Sequence, residues 1–184
     1  MRINKGIHLA YCTNIHRGEG WHETFKGLKD YTLKVKDNVS NGEPFAIGLR
    51  LGNTAALELS EEGSGRIEEF IKWLDENNCY VFTINGFPYG QFHGARVKEQ
   101  VYRPDWTSKD RLEYTNLLFD ILSKILPSEV SGSVSTLPGS FKEFIFDDEE
   151  QGDQIIKNLG LCGNHIKQLR ESTSKDLHLG LEPE

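Results

Sequence analysis

The sequence contains few cysteines and no long apolar run. Its three cysteines, Cys12, Cys79 and Cys162, are odd in number, far apart and without CxxC spacing, which excludes a disulfide framework and a thiolate zinc site. We expect them to be reduced and to pack as small apolar residues. No stretch of about 18 apolar residues occurs, and the first residues contain no apolar leader region. The sequence therefore predicts a cytoplasmic protein without membrane insertion.

The sequence also lacks an excess of basic residues. Among 184 residues, 21 Lys and Arg stand against 28 Asp and Glu, which gives a formal net charge of −7. A chain of this charge is repelled by nucleic-acid backbones and by anionic lipid. We therefore expect a small-molecule metabolite as the partner, and no nucleic acid.

Five short segments rich in apolar and β-branched residues have the pattern of strands bounded by Gly, Pro or Asn. They are residues 7–13, 45–51, 80–84, 133–136 and 177–181. Stretches with helical periodicity separate them. Because parallel neighbours need a long crossover, usually a helix, this alternation predicts an α/β protein with a parallel sheet.

The helical segments are predicted from their apolar spacing. The first follows Trp21, Phe25, Leu28, Val35 and Val39, although Gly27 interrupts it, and one further helix is expected between the second and third strands, around Ile67 to Leu74. The Thr107 hydroxyl is predicted to cap the next helix, and the last one runs along residues 155–169.

Two α/β architectures compete, the doubly wound open sheet and the (β/α)8 TIM barrel. No GxGxxG follows the first strand and no GxxxxGK[ST] occurs, so the usual phosphate loops are missing. Polar residues at the ends of several strands favour the barrel, whose active site is built there. A complete barrel needs eight units and about 250 residues, so we expect one domain, residues 1–184, holding only the first five units. The predicted strand order is 1-2-3-4-5 with helices on one outer face, and self-association or a missing C-terminal half would cover the open edges.

Several segments carry a family resemblance. They are HLAYCTNIH at 8–16, YVFTINGFPYG at 80–90, FHG at 92–94, VKEQVYRPDW at 97–106, STLPGSFK at 135–142 and LHLGLEPE at 177–184. Together they resemble the EboE metabolite-traffic family across essentially the whole chain. That family is similar to the xylose-isomerase-like TIM barrels, which include sugar isomerases, epimerases and endonuclease-IV-type enzymes. Its members are about twice as long, so the resemblance implies that the last three βα units are absent here.

Candidate site residues follow the strands in the chain. Asn14, His16, Asn85 and Tyr89 lie just past strand ends and are predicted to bind substrate, because parallel strands end at one edge of the sheet. Residues 91–111 carry five Lys or Arg against three Asp or Glu, so Arg96 and Lys98 are candidates for an acidic substrate group. A charge-mixed helix entry would give the same pattern.

The resemblance implies catalytic roles for His93 and Glu182. In the superfamily, a histidine after the third strand contacts metal or substrate, and Glu182 corresponds to the first carboxylate ligand of a divalent metal (Mn, Mg or Zn), whose other ligands would lie beyond this chain. A loop histidine and a solvated carboxylate are the alternatives.

Three functions result from these assignments. The first is a sugar isomerase or epimerase acting on a polyhydroxylated metabolite with a metal. The alternative is a non-catalytic metabolite-binding or traffic protein of EboE type, and the third is an endonuclease-IV-like phosphodiesterase. Fold alone does not separate them. We expect the isolated chain to be inactive.

Overall fold

The computed structural model describes residues 1–3, 6–90, 98–145 and 149–183, with only the backbone of Lys98. Within these residues, five strands form one parallel sheet in the order β1-β2-β3-β4-β5. They are β1 (Ala10–Cys12), β2 (Phe45–Arg50), β3 (Cys79–Asn85), β4 (Gly132–Thr136) and β5 (Leu177–Leu181). The predicted α/β class, parallel sheet and sequential strand order are confirmed.

Helices connect the strands. They are α1 (Trp21–Gly27), α2 (Leu33–Val39), α3 (Asn53–Ser60), α4 (Arg66–Glu76), α5 (Lys109–Ile125) and α6 (Glu149–Thr173). Short 3-10 turns occupy Thr13–Ile15, Lys98–Tyr102 and Lys142–Phe144. No helix in the described part of the chain is long and apolar enough to cross a bilayer.

The local expectations were met unevenly. Helical structure runs from Trp21 to Val39 as predicted, with a π-helical segment, Leu28–Thr32, directly after Gly27, although Val39 is exposed. Two helices, α3 and α4, lie between β2 and β3 where one was expected. Ser108, not Thr107, caps α5 by accepting a hydrogen bond from the Asp110 amide, because the Thr107 hydroxyl donates to Asp105.

The two faces of the sheet differ in what covers them. Val81, Ile84 and Val134 are fully buried, and a Cβ at Gly132 would meet Leu122 of α5 and Leu126 directly after it, so this face carries helices. Sequential parallel strands with right-handed crossovers place their helices on the same face. The opposite face, which we call the inner face, borders a cavity of about 440 Å³ near the amino ends of the strands. His8, which precedes β1, and His178 of β5 line this cavity.

The cysteines only partly follow the prediction. Cys79 and Cys162 are free and buried, and burial raises the pKa of Cys79 to about 11 and that of Cys162 to about 12. Cys12 is exposed, because it is the last residue of the short edge strand β1. The packing role therefore holds for two of the three.

Candidate functional site at the carboxyl edge of the sheet

Arg50, the last residue of β2, ties together the loops that follow β1 and β3. Its side chain is buried, with Nη1 donating to the Gly18 carbonyl at 3.0 Å and Nη2 donating to the Gly90 carbonyl at 2.8 Å. Its backbone N–H donates to Thr13 Oγ1 at 2.8 Å. One buried side chain thus fixes two neighbouring loops at the carboxyl edge of the sheet.

Arg111 and Tyr114 of α5 hold the same edge from the helix side. The fully buried Arg111 guanidinium donates to the carbonyls of Pro104, Gly86 and Phe87 at 2.7–3.0 Å. The Tyr114 hydroxyl donates to the Leu51 carbonyl at 2.6 Å. Burial lowers the pKa of Arg111 to about 10, so it is charged at neutral pH. Arg111 therefore has a structural role and is not a candidate for anion binding, although it lies in the basic stretch 91–111.

His16 is paired with a tyrosine hydroxyl just past β1. Its Nε2 lies 2.9 Å from the Tyr11 hydroxyl, and its ring stacks on Tyr31 with centroids 4.9 Å apart. Desolvation by the surrounding residues lowers the pKa of His16, so the imidazole is neutral at pH 7. A neutral imidazole hydrogen-bonded to a phenol is a pair that can accept and donate protons.

Two clefts flank the Arg50 side chain. The β1 cleft is lined by Thr13, His16, Arg17, Gly18, Thr24, Gly27, Leu28 and Arg50. It has room of about 10 Å³, enough for one water-sized oxygen. The β3 cleft is lined by Pro88, Tyr89, Gly90, Gln100, Val101 and Arg103 and measures about 160 Å³. Because Arg50 holds Gly18 in one cleft and Gly90 in the other, the two clefts share one rigid support.

The structure distributes the predicted substrate-binding residues along this edge. His16 lines the β1 cleft and Tyr89 lines the β3 cleft, where the Tyr89 ring packs edge-on against Tyr114. Asn14 lies in the 3-10 turn after β1. Asn85 uses its side-chain oxygen locally, since Oδ1 accepts from the Phe87 N–H at 3.1 Å. Asn85 therefore shapes the turn that leads into the β3 cleft.

Glu182 also follows a strand, but at the far side of the sheet. Its backbone N–H donates to the Thr136 carbonyl at 2.9 Å, which places it beside the end of β4. Asn85 pairs in register with Arg50 on one side and Ser135 on the other. Glu182 is thus two strands from Asn85, about 10 Å by normal strand spacing.

The remaining predicted residues lie outside the part that can be described. His93 and Arg96 fall outside the described residues, and so does the side chain of Lys98. The catalytic role of His93 and the anion-binding roles of Arg96 and Lys98 stay predictions.

The residues in place do not form a ready metal site. Across 1–3, 6–90, 98–145 and 149–183, no three His, Cys, Asp or Glu side chains are grouped to hold a metal ion. Glu182 alone cannot replace enough of the hydration of a divalent cation. The described residues supply one carboxylate to the expected site, so the metal-binding role of Glu182 stays a prediction.

The sequence places Arg50 among the polar residues at strand ends but indicates no specific role for it, and it does not indicate Tyr11 as part of the site. A charged residue ending the apolar strand FAIGLR was the available signal for Arg50, since a buried cation must find hydrogen-bond acceptors. For Tyr11 the sequence offers no such signal, because its partnership with His16 depends on how the 3-10 turn folds back.

Comparison with known proteins adds no assignment to this geometry: no protein family, curated protein or solved structure matches the chain. The resemblance to the EboE family therefore remains a hypothesis.

Proposed function

We propose that this chain handles a small polyhydroxylated metabolite at the carboxyl edge of its sheet and moves a proton on it, as a sugar isomerase or epimerase does. The observation that carries the proposal is the neutral His16, held at 2.9 Å by Tyr11 in the same cleft as Arg50. The site follows the first three strands, and its loops are fixed by buried arginines.

The proposed chemistry uses the two ring nitrogens of the His16 imidazole. With Nε2–H donated to the Tyr11 oxygen, Nδ1 carries a lone pair and can accept a proton from the carbon next to the substrate carbonyl. The electron pair of that C–H bond forms the C=C bond of an enediolate while the carbonyl electrons move to the oxygen. Return of the proton to the former carbonyl carbon, with the hydroxyl proton passing from the neighbouring oxygen to the enediolate oxygen, gives the isomer. Delivery of a solvent proton to the opposite face of the first carbon, followed by return of the enediolate electrons to the carbonyl, gives the epimer.

We also propose that the five β/α units belong to a (β/α)8 barrel of the xylose-isomerase-like type. The sequential strand order supports this, because doubly wound sheets reverse their order at a switch point. In such barrels the carboxyl ends of the strands surround the site. The clefts around Arg50 are at that end.

Proton transfer is tested directly by exchange with solvent deuterium. The protein is incubated in D2O with a panel of aldoses and ketoses, and NMR follows deuterium at the carbon next to the carbonyl. We expect incorporation above the buffer rate for at least one sugar. His16→Gln should lower that rate by roughly a hundredfold, the usual contribution of a general base.

His22→Gln is the matched control, since His22 is an exposed histidine on α1. It should exchange as the wild type does. Equal rates for wild type and His16→Gln would contradict the role of His16. Saturable binding of a sugar without exchange would contradict the catalytic proposal and support the non-catalytic, metabolite-traffic alternative.

A further inference from the structure

The Arg50 guanidinium is almost fully buried, yet one of its N–H donors has no hydrogen-bond acceptor among the described residues. Its side chain is only 4% exposed, and its two terminal nitrogens donate to the carbonyls of Gly18 and Gly90. Within the described residues, Nε has no hydrogen-bond acceptor. A buried donor without an acceptor is unfavourable, and native proteins rarely keep one unless water or a ligand supplies the missing partner.

The charge of Arg50 is also poorly balanced. Within the described residues, only the Glu19 carboxylate comes within 4 Å, with Oε1 at 3.9 Å from Nη2. That distance is too long for a hydrogen bond. The Glu19 side chain is 37% exposed, so solvent weakens the attraction.

The β1 cleft brings further suitable groups beside this guanidinium. The exposed, cationic Arg17 and the hydroxyl-bearing Thr13 and Thr24 line it together with Arg50. The cleft is narrow, with room of about 10 Å³ for one water-sized oxygen atom, and it is partly open to solvent. A group that places one oxygen inside and others at the mouth therefore matches its shape.

We propose that the β1 cleft is the subsite for an anionic group of the metabolite, a phosphate or a carboxylate. One oxygen of the group accepts from the Arg50 guanidinium, whose Nε lacks an acceptor among the described residues, and a second lies near Arg17 at the mouth. This inference deepens the proposed function, on which it rests, by assigning the substrate to the class of sugar phosphates or sugar acids. Guanidinium groups donate charge-assisted hydrogen bonds to both anions, whereas a neutral hydroxyl would leave the charge uncompensated.

The test observes the Arg50 Nε–H by two-dimensional 15N NMR during separate titrations of the whole chain with inorganic phosphate and with acetate. Sodium chloride keeps the ionic strength constant. We expect a saturable shift of the Arg50 Nε–H and of the Gly18 amide. A response to phosphate alone identifies phosphate as the group, and an equal or stronger response to acetate identifies a carboxylate.

Three variants sharpen this experiment without removing Arg50. Arg17→Gln should weaken anion affinity roughly fivefold, the value of one partly exposed charge. Glu19→Gln should strengthen it, because the competing carboxylate is gone. Arg170→Gln, which removes an exposed arginine on α6, is the control and should leave the affinity unchanged.

The inference is wrong if the Arg50 Nε–H and Gly18 signals respond to neither anion beyond the chloride control. It is equally contradicted if Arg170→Gln weakens binding as much as Arg17→Gln, since the attraction is then non-specific. Loss of deuterium exchange in His16→Gln with a silent Arg50 would remove this subsite alone and leave the proposed function standing. A saturable response of the Arg50 Nε–H in a chain that exchanges no sugar would support the anion site and contradict the proposed function.

Discussion

Arg111 carries its charge into the interior and holds three backbone carbonyls there. Replacement by Met leaves those carbonyls without a buried donor, although it also relieves the cost of burying the cation. We expect Arg111→Met to lower the free energy of unfolding by about 2–4 kcal/mol. Urea denaturation measures this effect.

Lys109→Met is the control for this change, because Lys109 is the exposed first residue of α5, two residues before Arg111, and among the described residues its ion pair is with Glu113. It should leave the denaturation midpoint in place. Equal midpoints for Arg111→Met and the wild type would show that the hydrogen bonds of Arg111 do not stabilise the fold.

His16 makes stability depend on pH in a defined direction. Burial lowers the pKa of His16 in the folded protein below the ordinary histidine value of about 6.5, so the unfolded chain binds the proton more readily. The contribution of the neutral His16 to the free energy of unfolding is therefore complete above about pH 6.5, and it is lost as the pH falls below that value. His8, also lowered mainly by desolvation, acts in the same direction. We expect His16→Gln to lose less stability than wild type between pH 7.5 and pH 5, measured by denaturant unfolding. An identical loss would contradict the assignment.

At the scale of elements, the packing of α5 on the sheet depends on the absence of a side chain at Gly86. A Cβ there would lie 2.5 Å from Leu118 Cδ1 and 3.0 Å from the Ser135 carbonyl oxygen. Gly86→Ala should therefore destabilise the protein by about 1–3 kcal/mol, the cost of overpacking a core. Thermal or urea unfolding measures it.

Gly160→Ala provides the opposite case on α6, where a Cβ meets nothing within 4 Å. Alanine favours a helix interior over glycine by about 1 kcal/mol, so this variant should be more stable than wild type. Changes of the same sign in both variants would contradict the packing described for Gly86.

The elements that could be predicted from sequence are those with strong local patterns. β5 has the predicted bounds, because its apolar run is flanked by polar residues. Helix α3 was missed because Ala55, Ala56 and Leu59 are too few and too small to show a helical period over eight residues. The π-helical segment depends on packing around Leu28 and Thr32, both buried, and no local pattern indicates it.

For the whole molecule, the candidate edge could be located from sequence, because the carboxyl ends of parallel strands lie at one edge of the sheet. The hydrogen bonds that connect the loops of that edge could not be predicted. Arg50 reaches Gly18 and Gly90 across 32 and 40 residues of sequence, and such pairings depend on loop conformation. Asn85 was assigned to substrate but bonds its own turn, a competition typical of asparagine.

Self-association stays a prediction at this scale. Within the described residues β1 and β5 each pair with one strand only, and Ile7, Leu9 and Ile15 are exposed near β1. Unpaired edges with apolar neighbours favour association. We expect sedimentation velocity to show a mass that rises with concentration, and Leu9→Lys to reduce that rise. A monodisperse monomer at all concentrations would contradict this.

The central claim is that the metabolite site lies at the carboxyl edge, around Arg50. Amide chemical-shift mapping tests it most directly, by titrating the 15N-labelled chain with a panel of sugars, sugar phosphates and sugar acids. We predict that at least one ligand shifts Thr13, Gly18 and Gly90 together and saturably. Shifts confined to Gly6, Ser131 and His178, which line the cavity at the amino ends of the strands, would contradict the account. So would the absence of any saturable shift.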